Sequence, residues 1–126
     1  MIASWFLRSA VIFGLIGMSM GIVMGISHDH TLSPVHAHIN LIGWVGLFLA
    51  GMFYKAYPAA VGKLATVHFY VAVIGLIIIA PGIAGSILAL PWLAPLAAIG
   101  SIITLIGFIL FAIGVFRHSA KPAVTA

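Results

Sequence analysis

The sequence contains no cysteine, and Asp29 is its only acidic side chain. The first absence rules out a disulfide, an iron–sulfur cluster and any thiolate ligand, so a bound metal must be held by histidine and methionine. The second removes paired-carboxylate acid–base catalysis and leaves no carboxylate within a hydrophobic segment for proton-coupled transport. No nucleophile–base arrangement is evident and no glycine-rich phosphate loop follows a strand, which disfavours hydrolysis and phosphoryl transfer. Charge of either sign is scarce, at 5% of 126 residues. The five Lys and Arg are scattered rather than gathered on one face, which argues against nucleic acid as a partner.

What is present is apolar: 64% of the residues are hydrophobic and the mean hydropathy is +1.34. No soluble domain of this size could cover such a surface, so the class is integral membrane protein, with the lipid bilayer as its first partner. Four apolar runs predict helices over 6–26, 34–57, 64–88 and 93–116. Each is close to the ~20 residues that a helix needs to cross the hydrocarbon core, and the alternation of barrel strands is absent. The expected fold is all-α, one four-helix transmembrane domain over 1–126. Arg8, Lys55, Lys63, Arg117 and Lys121 fall on one side of these spans, while the connections 27–33 and 89–92 carry no Lys or Arg. The positive-inside rule then predicts both termini in the cytoplasm, a multi-pass protein of the inner (cytoplasmic) membrane, and a first connection facing outward. The first run lacks a small-x-small cleavage site and is expected to be retained as a span.

Several local features refine this plan. Gly17, Gly21 and Gly25 recur every four residues, and Gly100, Gly107 and Gly114 every seven. Both rows predict close helix packing, within the bundle or against another subunit, and so small a unit is expected to oligomerise. Ser33 and Pro34 suit an N-cap and first helical position. Pro81-Gly82 predicts a bend or unwinding in the third helix, and the run from Pro91 to Pro95 a tight turn. Trp5 and Trp44 suit interfacial anchoring or packing, and Tyr54 and Tyr57 interfacial anchoring. The tail from His118 to Ala126 is expected to be a short disordered end.

The chemistry concentrates in histidine. His28, Asp29, His30, His36 and His38 lie close together in sequence, before or at the start of the second helix. Intramembrane imidazole is costly unless something uses it. Residues two apart on a helix differ by about 200° in azimuth, so His36 and His38 point to opposite flanks and suit two ligands, one on each side. Asn40, four after His36, can hydrogen-bond on that face and fix its ring. Met20, Met24 and His28 follow at four-residue intervals towards the same surface; imidazole suits copper, zinc and iron, and thioether suits Cu(I) or a heme axial position. His68 belongs about 15–20 Å away towards the other membrane face, too far to share one ion with His38 within a subunit.

The stretch His36-Ala37-His38-Ile39-Asn40-Leu41-Ile42-Gly43-Trp44-Val45-Gly46, closing with Met52-Phe53-Tyr54-Lys55-Ala56-Tyr57-Pro58, resembles the catalytic subunit of the heme–copper oxidase superfamily, which includes nitric oxide reductases. In that family's tenth helix an H-x-H pair near the outer side ligates two hemes, one on each flank. The resemblance places His36 at the high-spin heme ligand and His38 at the low-spin ligand, with Asn40 beside them. The family's subunit is built from three pseudo-repeated arcs of four helices; this chain has the length of one, which implies a homotrimer. The family's copper site, an H-x-x-x-Y helix and an adjacent His-His pair, has no counterpart here. The resemblance therefore implies heme b, with electron transfer or the binding of oxygen or nitric oxide, a redox partner, and an oxidoreductase component at most. Two other readings stay open. One is an outer-facing copper or zinc site built from His28, His30, His36, His38 and Met24, with Met20. The other is an accessory subunit of a respiratory complex without a cofactor.

Overall fold

A computed structural model describes residues 1–119. Lys121 and most of the tail expected to be disordered lie outside these residues. Four long helices carry the described chain, which contains no strand: α1 (Ile2–Ser27), α2 (Ser33–Ala56), α3 (Lys63–Ile87) and α4 (Pro95–His118). All four are long and apolar enough to span a membrane. A short 3-10 turn, Pro58–Ala60, joins α2 to α3. Because consecutive helices reverse direction, the 28–32 and 88–94 connections share one end, here the histidine end. The N-terminus, the 57–62 connection and the described C-terminus share the other, the terminal end.

The helices are apolar all round, which suits a lipid surround rather than water. Ile12, Leu15, Ile22, Val23, Ile102, Leu105 and Phe108 all stand exposed. Packing within the chain relies on small residues. Gly100 and Gly107 on α4 face α3, where a Cβ on Gly100 would lie 2.5 Å from Ile79 N and one on Gly107 3.3 Å from Ala72 Cα. That glycine seam is consumed inside the chain, with Gly82 of α3 answering against Ala97. The other row, on α1, faces α2 and accommodates side chains: Gly14 receives Trp44, Gly17 receives Asn40 and Gly21 receives His36, while Gly25 meets nothing.

Three local expectations are corrected. Leu32, not Ser33, is the N-cap of α2, with Ser33 and Pro34 inside its first turn and no side-chain cap bond. Pro81 does not unwind α3, which runs on as one helix to Ile87. Most consequentially, α2 is not regular: Ile39–Gly46 is wound as a π-helix between α-helical flanks. Wide turns of this kind are rare and often lie at functional sites.

The terminal end holds the aromatic core. Phe6, Ala10, Leu47, Ala50, Tyr54 and Ala65 are buried together, with Phe53, Phe69 and Phe111 packed against them. Elsewhere α4 packs along α3 and makes no comparable contact with α2. The space between α2 and α4 stays open, and α3 forms its floor.

Candidate functional site

The first turns of α2 set two imidazoles on opposite flanks. His36 turns towards α1, where its Nδ1 donates to the carbonyl of Gly17 at 2.8 Å. The ring fits because Gly21 has no Cβ; one built there would lie 3.0 Å from His36 Cε1. Asn40 continues the same stripe. Its amide donates to the His36 carbonyl at 2.9 Å and lies 3.3 Å from His36 Nδ1. A carbonyl can only accept, so His36 Nδ1 carries a proton, and the approach of Asn40 to it is a contact rather than a donation. His36 Nε2 has no partner among the described residues. Asn40 thus steadies the backbone and the pocket of His36, whereas Gly17 fixes the ring.

His38 points the other way. Its Nδ1 donates to the Pro34 carbonyl at 2.7 Å. The proton on Nδ1 leaves Nε2 of the neutral ring with its lone pair free, the tautomer that metal-ligating histidines adopt when a carbonyl holds their other nitrogen. His38 stands at one end of a slot of ≈ 460 Å³ between α2 and α4. Ala72 and Ile79 of α3 form its buried floor, Leu47 and Ala50 the buried part of its α2 wall, and Leu41, Leu49, Leu105 and Phe108 its exposed rim.

His68 lines the far end of the same slot. It lies towards the opposite membrane face from His38, as its place in the sequence implies, but is a core residue, 4% exposed. Its Nδ1 pairs with the Tyr54 hydroxyl at 2.9 Å. The ring lies between Phe6 and Phe111, with centroids 4.8 Å and 5.3 Å away. Tyr54 is therefore a core residue, 2% exposed, and not an interfacial anchor. The sequence held one clue to this pair: Tyr54 and His68 are equally far from Val61 in the turn between their helices, so an antiparallel hairpin brings them level. Thr104 of α4 also lines the slot, and its Oγ1 is buried without a hydrogen-bond partner among the described residues.

The remaining candidates are dispersed. α1 ends at Ser27, and His28 leaves it in the left-handed conformation with φ 56°. His28 does not extend the Met20–Met24 row. His28 and His30 are exposed, while Met24 is buried and Met20 half-buried. Among the described residues no group of three or more histidine and acidic side chains is placed to hold a metal ion. Asp29 instead closes its own turn, accepting from the Thr31 N–H at 3.0 Å and the Thr31 hydroxyl at 2.6 Å. The Thr31 hydroxyl, and then the Thr31 N–H, hold its carboxyl below the usual range. His118 donates from Nδ1 to the Gly114 carbonyl at 2.9 Å and takes no part in either imidazole site. No family model matches the chain, and no curated protein or solved structure matches it, so the likeness to the heme–copper oxidases rests on the residues of α2 themselves.

Proposed function

We propose that this chain is a small oligomeric membrane hemoprotein of b type, with His38 as the first iron ligand and His36 as the next, serving electron transfer or the binding of oxygen or nitric oxide. The observation that carries the reading is the state of His38: its Nδ1–H is engaged by the Pro34 carbonyl, and Nε2 is left free beside an apolar opening. The donor chemistry fits heme iron, which takes a neutral imidazole whose other nitrogen is hydrogen-bonded. A heme held there would supply one-electron transfer or the binding of a diatomic gas.

The chain's own residues would contribute orientation and exclusion of water. Pro34 at the second turn position aims His38. Gly17, Gly21 and Asn40 hold His36 on the opposite flank, so one helix offers two imidazoles that cannot compete for the same ion. The π-wound segment follows directly and sets the pitch of the helix beneath them. A homotrimer in the cytoplasmic membrane, termini inward, follows from the likeness to one four-helix arc and from the basic residues at the terminal end. It would seat the group at the seam between copies.

The test is the visible spectrum of purified protein supplemented with heme. A Soret band that shifts on reduction is expected, lost in His38→Ala and retained in the double variant His28→Ala/His30→Ala. Absence of the band after supplementation would refute the reading, and a particle mass of one or two chains would refute the trimer.

A further inference from the structure

The slot extends far beyond His38, and its other end is built for something else. The stretch of α2 from His38 to Tyr54, whose hydroxyl meets His68, spans about 20 Å, so a volume of ≈ 460 Å³ leaves a mean cross-section of about 20 Å². Those are the proportions of one extended hydrocarbon chain. Apart from His38, His68, Ser101 and Thr104, every lining residue is apolar. The open side between α2 and α4 gives entry from the bilayer.

His68 supplies the polar terminus. It is 96% buried, by its 4% exposure, yet Nε2 has no partner among the described residues. The Tyr54 hydroxyl has His68 Nδ1 as its hydrogen-bond partner. If the hydroxyl donates, Nε2 carries the ring proton; if it accepted, the phenol proton would be left buried and unpaired. The favoured arrangement therefore offers an N–H from His68 at the end of an apolar slot, where a ligand bringing an acceptor oxygen would pair with it. Lys55 and Lys63 lie at the same terminal end of the bundle, and their charge favours an anionic head group.

The geometry points to a site for one long-chain fatty acid, with its carboxyl oxygen on His68 Nε2 and its alkyl chain lying along the slot between α2 and α4. One slot of single-chain width argues for this ligand over a two-chain lipid. The carboxyl end of the site at His68 is separate from the heme reading, whereas the far end of the slot is the opening beside His38 that the heme reading also uses.

The experiment uses the purified, delipidated full chain in detergent and palmitic acid labelled with carbon-13 at the carboxyl. A bound carboxyl resonance distinct from the micellar one is expected in the heme-free protein, saturating at one equivalent per chain. Leu105→Trp fills the exposed rim without touching Tyr54 or His68, and is expected to weaken binding at least tenfold; His68→Phe is expected to do the same. A micellar resonance alone, an undiminished bound signal in Leu105→Trp, or equal binding of carbonyl-labelled phosphatidylcholine would each overturn the assignment.

Discussion

The carboxamide of Asn40 occupies the space in which Gly17 would carry a Cβ: an atom built there lies 2.5 Å from Asn40 Nδ2. The same glycine gives its carbonyl to His36. One small residue on α1 thus positions both polar side chains of the stripe. Gly17→Ala must expel Asn40 from its seat or push the helices apart, at ~1–3 kcal/mol for overpacking. Gly25→Ala is the internal control, since nothing lies within 4 Å of its Cβ position. Denaturation in mixed micelles should separate the two. Equal stability of Gly17→Ala and the parent chain would remove the close approach from the account.

The seam between α3 and α4 makes a ranked prediction. A Cβ on Gly100 meets the backbone of Ile79 at 2.5 Å, whereas one on Gly107 meets Ala72 at 3.3 Å. Backbone cannot rotate away as a side chain can. Gly100→Ala should therefore destabilise by ~1–3 kcal/mol, while Gly107→Ala needs a shift of tenths of an ångström, largely offset by alanine's better helix propensity of up to ~1 kcal/mol. The same unfolding assay should place Gly100→Ala below Gly107→Ala; the reverse order would contradict the packing described.

Helix number and approximate bounds were legible because apolar length alone decides them. The opposite flanks of His36 and His38 were legible too, since both sit in the α-wound start of α2, where helical azimuth applies. The π-helix was not: nothing in Ile39–Gly46 marks a wider turn by composition. The glycine row on α1 was visible, but not that it makes room for imidazole and carboxamide, which depends on the register of α2. The expected unwinding at Pro81-Gly82 did not occur, and α4 lies directly against Gly82, a packing that the sequence does not announce. Tyr54 was misplaced for a related reason: sequence shows its nearness to the helix end but not the aromatic partners arriving from α1, α3 and α4.

Asp29 offers a pH-dependent prediction with a clean readout. Donation from the Thr31 hydroxyl and N–H keeps its carboxyl below the ordinary aspartate value. A lowered folded-state pKa means the turn gains from the carboxylate above that ordinary value, and loses the gain as pH falls through the lowered one. Asp29 is the only acidic side chain, so carbon-13 labelled aspartate gives one carboxyl titration. Thr31→Val should move that titration upward, towards the ordinary value. An unmoved midpoint would show that the Thr31 hydroxyl is not what holds the turn.

The Tyr54–His68 bond is expected to behave as a unit. Tyr54→Phe keeps the ring in the core but removes the hydroxyl from His68 Nδ1, 2.9 Å away. An imidazole nitrogen left unpaired among Phe6 and Phe111 costs about 1–3 kcal/mol. His68→Phe strands the Tyr54 hydroxyl in the same way and leaves a comparable penalty. Removing both polar groups at once leaves neither one orphaned, so Tyr54→Phe/His68→Phe should be less destabilised than the two single variants added together. The coupling in such a cycle should fall within the ~0.5–3 kcal/mol seen for residues in contact. Additive losses would mean that the two rings are neighbours without a bond between them. The donor state of His68 at the end of the slot would then lose its support.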